Sequence, residues 1–207
     1  MVSASKHAVE RATPAAPAGA VGRPVAHLSA RVSAYFVDSI VLLVFILVFF
    51  VIAGLELLIA DSRTAGDPSD AAYYAFAAIA IGGSLIAWSA FNLALMRWRG
   101  QTMGMYVIGI KTVGEDGTAL TTGRTLLRWF GLHPLLFHPL LLPIWLILSY
   151  LIFAATPSRA ALAITLVPVL LCLVAPAVSL GTALLDHERR ALHDRLAHTL
   201  VVHIATR

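Results

Sequence analysis

Three ionisable residues at and within the first apolar stretch have the spacing of a single helical face. Arg31 and Asp38 are seven positions apart, two turns of an α-helix, and Glu56 follows Asp38 by eighteen, five full turns. Between the two acids the same stripe is apolar, filled by Phe45, Phe49 and Ile52. A carboxylate inside a lipid-embedded helix costs about 2.5–3.5 kcal/mol near its centre, so it needs a neutralising partner or a proton- or ion-carrying task. Counting inward along the other apolar stretches puts Asn92, His138 and Thr182 or Ser179 within a few residues of the depth of Asp38. If their faces converge, they form a polar cluster around it. Other chemistry is not spelled out. His187, His193, His198 and His203 crowd the tail, but the five-residue steps of the last three rotate them around a helix rather than aligning them on a metal. Cys172 is the single cysteine, so no disulfide can form within the chain. No nucleophile–base pair, metal set or phosphate loop is present, which speaks against an enzyme and against a bound cofactor.

The elements that position these residues follow from composition. Of 207 residues, 59% are hydrophobic and 13% charged, with a mean hydropathy of +0.83. Soluble domains hold roughly 45–50% apolar and about 25% charged residues. A soluble surface could not accommodate this balance, and the expected fold is an all-α integral membrane protein. Four segments are long enough to cross a hydrocarbon layer of about 30 Å: about 34–60, 71–98, 132–155 and 160–185. The first contains an unbroken apolar run from Ile40 to Ala53. Together they predict a four-helix transmembrane bundle.

Orientation follows from Lys and Arg. Lys6, Arg11, Arg23 and Arg31 precede the first span. Arg97, Arg99, Lys111, Arg124 and Arg128 lie between the second and third, and Arg189, Arg190, Arg195 and Arg207 follow the fourth. Only Arg63 and Arg159 fall on the other side, where Asp61, Asp67 and Asp70 also lie. Both termini are therefore expected in the cytoplasm of a multi-pass protein of the cell (inner) membrane. The net charge of +4 is the residue of this asymmetry. It implies anionic lipid headgroups as partners rather than nucleic acid.

Residues 1–30, rich in Ala, Pro, Ser and Gly, read as a disordered cytoplasmic arm ahead of a membrane domain over 31–203. The loop after the second span holds a β-prone run, Met105 to Val113, then Glu115-Asp116-Gly117 and a shorter run, Thr118 to Thr121, which predicts a hairpin. Beyond it, Arg124 and Arg128 sit one turn apart. Leu127, Trp129 and Phe130 lie beside them, as in an amphipathic helix at the membrane interface. In the tail, Thr199 to Val202 could add a strand to the hairpin.

Arg31-x2-Ala34-x3-Asp38, the loop Gly100-Gln101-Thr102-Met103-Gly104, and the tail Arg190-Ala191-Leu192-His193-Asp194-Arg195-Leu196-Ala197-His198-Thr199 together resemble the RDD family. That is a family of bacterial polytopic membrane proteins named for one arginine and two aspartates. The resemblance runs from about residue 27 to 203 and identifies the three as Arg31, Asp38 and Asp194. Two positions depart from it. Met105 stands where a basic residue is usual, and Ala191 replaces a common glycine. The resemblance implies a membrane fold and a transport role, with cation/proton exchange in some members. The resemblance also suggests a reason for the tail: Arg31 is expected to bridge Asp38 and Asp194, clamping the tail beneath the bundle. Two functions fit. One is a small secondary transporter or cation/proton antiporter, acting as a homo-oligomer because four spans are few. The alternative is an accessory or scaffold subunit of a larger membrane complex.

Overall fold

The computed structural model describes residues 22–64 and 69–204. Residues 1–21, with the arm's Lys6 and Arg11, lie outside the described residues, as do Asp67 and Arg207.

The first helix, α1 (Leu28–Thr64), has 37 residues, about 55 Å of rise and far more than a bilayer needs. The surplus lies partly at its start, and that part carries Arg31. The second apolar segment is one rod, α2 (Asp70–Ala77), a π-helical turn (Ala78–Gly83) and α3 (Ser84–Arg99). The bulge coincides with the pair Gly82-Gly83, and a Cβ on Gly83 would meet the Phe49 ring at 2.8 Å. Gly100, in the left-handed region at φ +70°, ends the rod and returns its N–H to the Met96 carbonyl at 3.0 Å.

The loop that follows departs from the expected hairpin. Met103–Ile108 is a helix, α4, fixed at one end by Thr102, whose side chain accepts from the Met105 N–H, and at the other by Gly109 at φ +76°. These two end signals override the β-prone composition between them. Strand β1 (Ile110–Gly114) does form, and Gly114 and Thr118 close a turn through Glu115-Asp116-Gly117. The chain does not return as a strand, because Thr121 caps the next helix, α5 (Thr122–Phe130). The antiparallel partner of β1 is instead the tail strand β2 (Thr199–His203), with Thr112 opposite Val201. On the far side of β2, Val25 bridges Val202, and Ala26 N–H donates to the Val201 carbonyl at 2.8 Å. The segment 22–30, expected as part of a disordered arm, is thus pinned: Val25 and Ala26 are buried and α1 has begun by Leu28.

The third expected span is shortened. After α5 the chain turns through 131–138, makes a 3-10 turn (Pro139–Leu141), and only then enters α6 (Leu142–Ala155), 14 residues or about 21 Å. Pro134 and Pro139 explain the delay, since each disfavours helical geometry in the residue before it, whereas Pro143 stands in the first turn of α6, where proline is well accommodated. The last long helix, α7 (Arg159–Leu185), matches its expected span and carries Pro168 and Pro176 inside it. A short α8 (Leu192–Leu196) precedes β2. Among the described residues, three helices are long and apolar enough to cross a membrane: Leu28–Arg63, Asp70–Arg99 and Arg159–Leu185. Pro139–Ala155 is a shorter apolar one.

Leu42, Trp88, Met96, Trp129, Leu141, Ile144 and Cys172 form the buried core. Trp88 Nε1–H donates to the Leu135 carbonyl at 2.9 Å, and Ser149 hydroxyl joins α6 to α7 through the Thr165 carbonyl at 2.7 Å. The outward faces are apolar: Leu43, Leu47, Leu58, Ile164 and Leu170 are all more than half exposed, as lipid-facing positions should be. Residues 24–26, α4, β1, α5, α8 and β2 gather into a base at the Arg31 end of α1, with small apolar clusters of its own around Ile110 and Leu200.

Candidate functional site

The base is held to the bundle by two carboxylates. Asp194, in the first turn of α8, is completely buried. Its Oδ2 accepts from Arg31 Nη1 at 2.6 Å and from the Ala191 N–H at 3.2 Å, while Oδ1 faces Arg128 Nη1, also at 2.6 Å. Arg128 Nη1 also donates to Thr199 Oγ1 at 3.3 Å. One carboxylate therefore joins α1, α5 and the tail. Burial pushes the Asp194 carboxyl up, but the Arg128 charge, followed by His193 and Arg31, outweighs it and holds the group well below the usual carboxylate range.

The second carboxylate is Asp38 on α1, buried against α4. Its Oδ2 accepts from the Thr102 hydroxyl at 2.6 Å and its Oδ1 from the Gly104 N–H at 2.7 Å. Thr102 in turn accepts from the Met105 N–H, so Asp38 braces the cap of α4. The close fit requires glycine: a Cβ on Gly104 would run into the Ala34 carbonyl oxygen and lie 2.8 Å from the Asp38 carboxyl carbon. This corrects the expected bridge. Arg31 pairs with Asp194, as the resemblance suggested, but no hydrogen bond or ion pair links it to Asp38 among the described residues. The arrangement is the inverse of the expected one: a single carboxylate, Asp194, lies between two guanidinium groups, Arg31 and Arg128.

Arg128 also corrects a second expectation, because it is buried rather than lying at the membrane interface. Trp129 is likewise buried, whereas Leu127 and Phe130 are exposed. Arg124 is on the outer surface, 3.2 Å from Asp116, which closes the turn before α5. A buried arginine beside a tryptophan gives no sequence signal that separates it from an interfacial one.

The remaining polar residues divide. His138 Nδ1 accepts from the Leu140 N–H, which leaves the ring proton on Nε2, 2.8 Å from Ser39 Oγ. The ring stacks on Tyr35 with centroids 4.8 Å apart, placing His138 beside the residue next to Asp38. Thr182, near the end of α7, accepts from the Leu192 N–H at 2.9 Å and so anchors α8. Asn92 is buried and donates to its own helix at the Trp88 carbonyl. Neither Asn92 nor Glu56 bonds to Asp38, and Asn92 Oδ1 and Glu56 Oε2 are buried without partners. The expected cluster is therefore reduced to Asp38 and the His138–Ser39 pair. Among the described residues, no group of three or more His, Cys, Asp or Glu is placed to hold a metal.

Two buried imidazoles complete the site. His133 and His193 lie with ring centroids 4.5 Å apart, next to Arg128 and Asp194. Burial pushes His193 from 6.5 down to about 3; the Asp194 charge pulls it back up, while Arg128 and Arg31 add to the fall. With the folded value below the unfolded one, the unfolded chain binds the proton first. Stability is then complete above about pH 6.5 and lost progressively toward pH 3. Asp194 adds a second loss only below about pH 4. Thermal melting of the detergent-solubilised protein should therefore move to lower temperature between pH 7.5 and 5. His193→Gln should reduce that dependence, leaving the part due to His133, which burial also holds well below the usual imidazole range. An equal slope in the variant would show that His193 is not responsible.

A family model described as the RDD family matches residues 25–198. No curated protein and no solved structure matches the chain.

Proposed function

The chain belongs to the RDD family, and from that membership and the geometry above we propose that it is a non-catalytic accessory or scaffold subunit of the cell (inner) membrane. In this reading α6 with its preceding 3-10 turn makes a fourth pass, and both termini face the cytoplasm. The folded base is then the docking surface, presented to a membrane-complex partner or a second copy. The observation that carries the proposal is the use made of Asp38. Both of its oxygens are engaged by donors of α4, so it acts as a rivet between helices. Deeper along α1, Leu42 is buried and Phe45 packs on the Trp88 ring, so this stretch of the helix meets its neighbours through apolar contacts.

The antiporter reading is favoured by a different observation, the buried and unpartnered oxygens of Glu56 and Asn92. The two readings separate in a single preparation. Protein purified in mild detergent should carry a protein partner at fixed stoichiometry, and in proteoliposomes it should move no protons in response to Na⁺ or K⁺. Cation-dependent proton movement that disappears in Asp38→Asn would overturn the scaffold reading and establish exchange.

A further inference from the structure

A cleft of about 300 Å³ opens between the first turns of α1 and the last turns of α7. Its walls are apolar, with Leu28 and Val32 on one helix and Pro176 and Leu180 on the other. Its rim is apolar as well: Phe36, also of the lining, is more than 60% exposed. One end of this cleft has a different chemistry. Arg31, Arg128, His133 and His193 line it, and each keeps a buried nitrogen with no partner: Arg31 Nε and Nη2, Arg128 Nε, His133 Nε2 and His193 Nδ1. His133 Nδ1 accepts from the Leu135 N–H, so its proton sits on Nε2 and adds a donor to the two guanidinium edges.

We propose that this cleft is a binding site for one anionic phospholipid, with the phosphate on the free edge of Arg31 and an acyl chain along the α1–α7 walls. The charges support an anion. Arg31 and Arg128 share the single carboxylate of Asp194, leaving one positive charge at that end of the cleft. Asp38 also lines the cleft, but α4 donors occupy both of its oxygens, and it lies seven residues, about 10 Å, along α1 from Arg31. Unpaired guanidinium donors in a dry site are costly, and a phosphate supplies the acceptors they lack, in the bidentate geometry that arginine favours. The apolar rim selects an amphiphile over a free anion, because a water-borne phosphate would leave Leu28, Val32 and Leu180 unoccupied. A volume at the low end of ligand pockets fits one headgroup and the start of one chain.

The test is native mass spectrometry of the full chain in mild detergent, titrated with phosphatidylglycerol or phosphatidylcholine. The expected result is one phosphatidylglycerol per chain, retained at least tenfold better than phosphatidylcholine. Arg31→Lys keeps one donor for Asp194 but removes the free edge, so it should lower that preference about tenfold. Leu180→Trp, which blocks the apolar wall and leaves the ion pairs intact, should abolish retention with an unchanged melting temperature. Equal retention of both lipids, retention unaffected by either variant, no lipid retained at all, or displacement of phosphatidylglycerol by millimolar inorganic phosphate would each overturn the proposal.

Discussion

Asp194→Ala is expected to be the most damaging single substitution in the base, costing about 3–5 kcal/mol and sharply lowering accumulation in the membrane. The reason is arithmetic of charge rather than loss of one contact. Asp194 is the shared anion for Arg31 and Arg128, and Arg128 is itself fully buried. Removing it leaves two guanidinium groups facing each other across a small cavity, with no carboxylate between them. It also removes the acceptor for the Ala191 N–H that starts α8. Native stabilities are only about 5–15 kcal/mol, so such a loss is a large part of the total. Arg31→Ala should cost clearly less, because Asp194 keeps Arg128 and the Ala191 N–H. Thermal melting of both variants checks the order, and an Arg31→Ala loss equal to or larger than that of Asp194→Ala would contradict it.

The second large effect is expected from adding one methyl group. Gly104 is in the first turn of α4 with no left-handed backbone requirement, so alanine there should by itself gain helix propensity, up to about 1 kcal/mol. The contact reverses the sign. The new Cβ would press on the backbone carbonyl of Ala34, which cannot rotate away, and on the Asp38 carboxyl carbon. Overpacking costs about 1–3 kcal/mol. Moving α4 off α1 also breaks the Gly104–Asp38 hydrogen bond, leaving a buried group unsatisfied for about 1–3 kcal/mol more. A net loss of about 3 kcal/mol is the expectation. Gly123→Ala, in the first turn of α5, is the control, since open space surrounds that position. It should be neutral or slightly stabilising. Similar melting temperatures for the two variants would show that the α1–α4 contact is loose.

These effects also show what a single sequence makes readable here. The long helices could be placed because apolar runs such as Ile40–Ala53 have no soluble explanation, although α1 starts six residues before its apolar span. The third segment starts later than its hydropathy implies, because hydropathy counts Pro134 and Pro139 as tolerable residues, whereas each one postpones helical geometry. The hairpin was misjudged for a related reason: β-branched composition is a weak preference, and Thr102 and Gly109 are strong punctuation at the ends of α4. The Arg31–Asp194 pair was readable from the family resemblance together with topology, which returns both residues to one side. The partner of Asp38 was less so. Its signal was Thr102 followed by Gly104, a capping hydroxyl and a residue able to approach closely, but only the packing of α4 against α1 gives that pair its meaning. Arg128 was beyond reach, because its burial depends on α5 packing under α8.

Charged residues at the start of α1 serve as rivets between bundle and base. A double-mutant cycle on Arg31 and Asp194, read by thermal or denaturant unfolding in one detergent, tests this most directly. The account predicts that the double alanine variant is more stable than the sum of the single losses implies, with a coupling of about 2 kcal/mol, within the range for directly bonded pairs. Losses that add to within about 0.5 kcal/mol would mean that the two side chains act independently, and the rivet would be refuted.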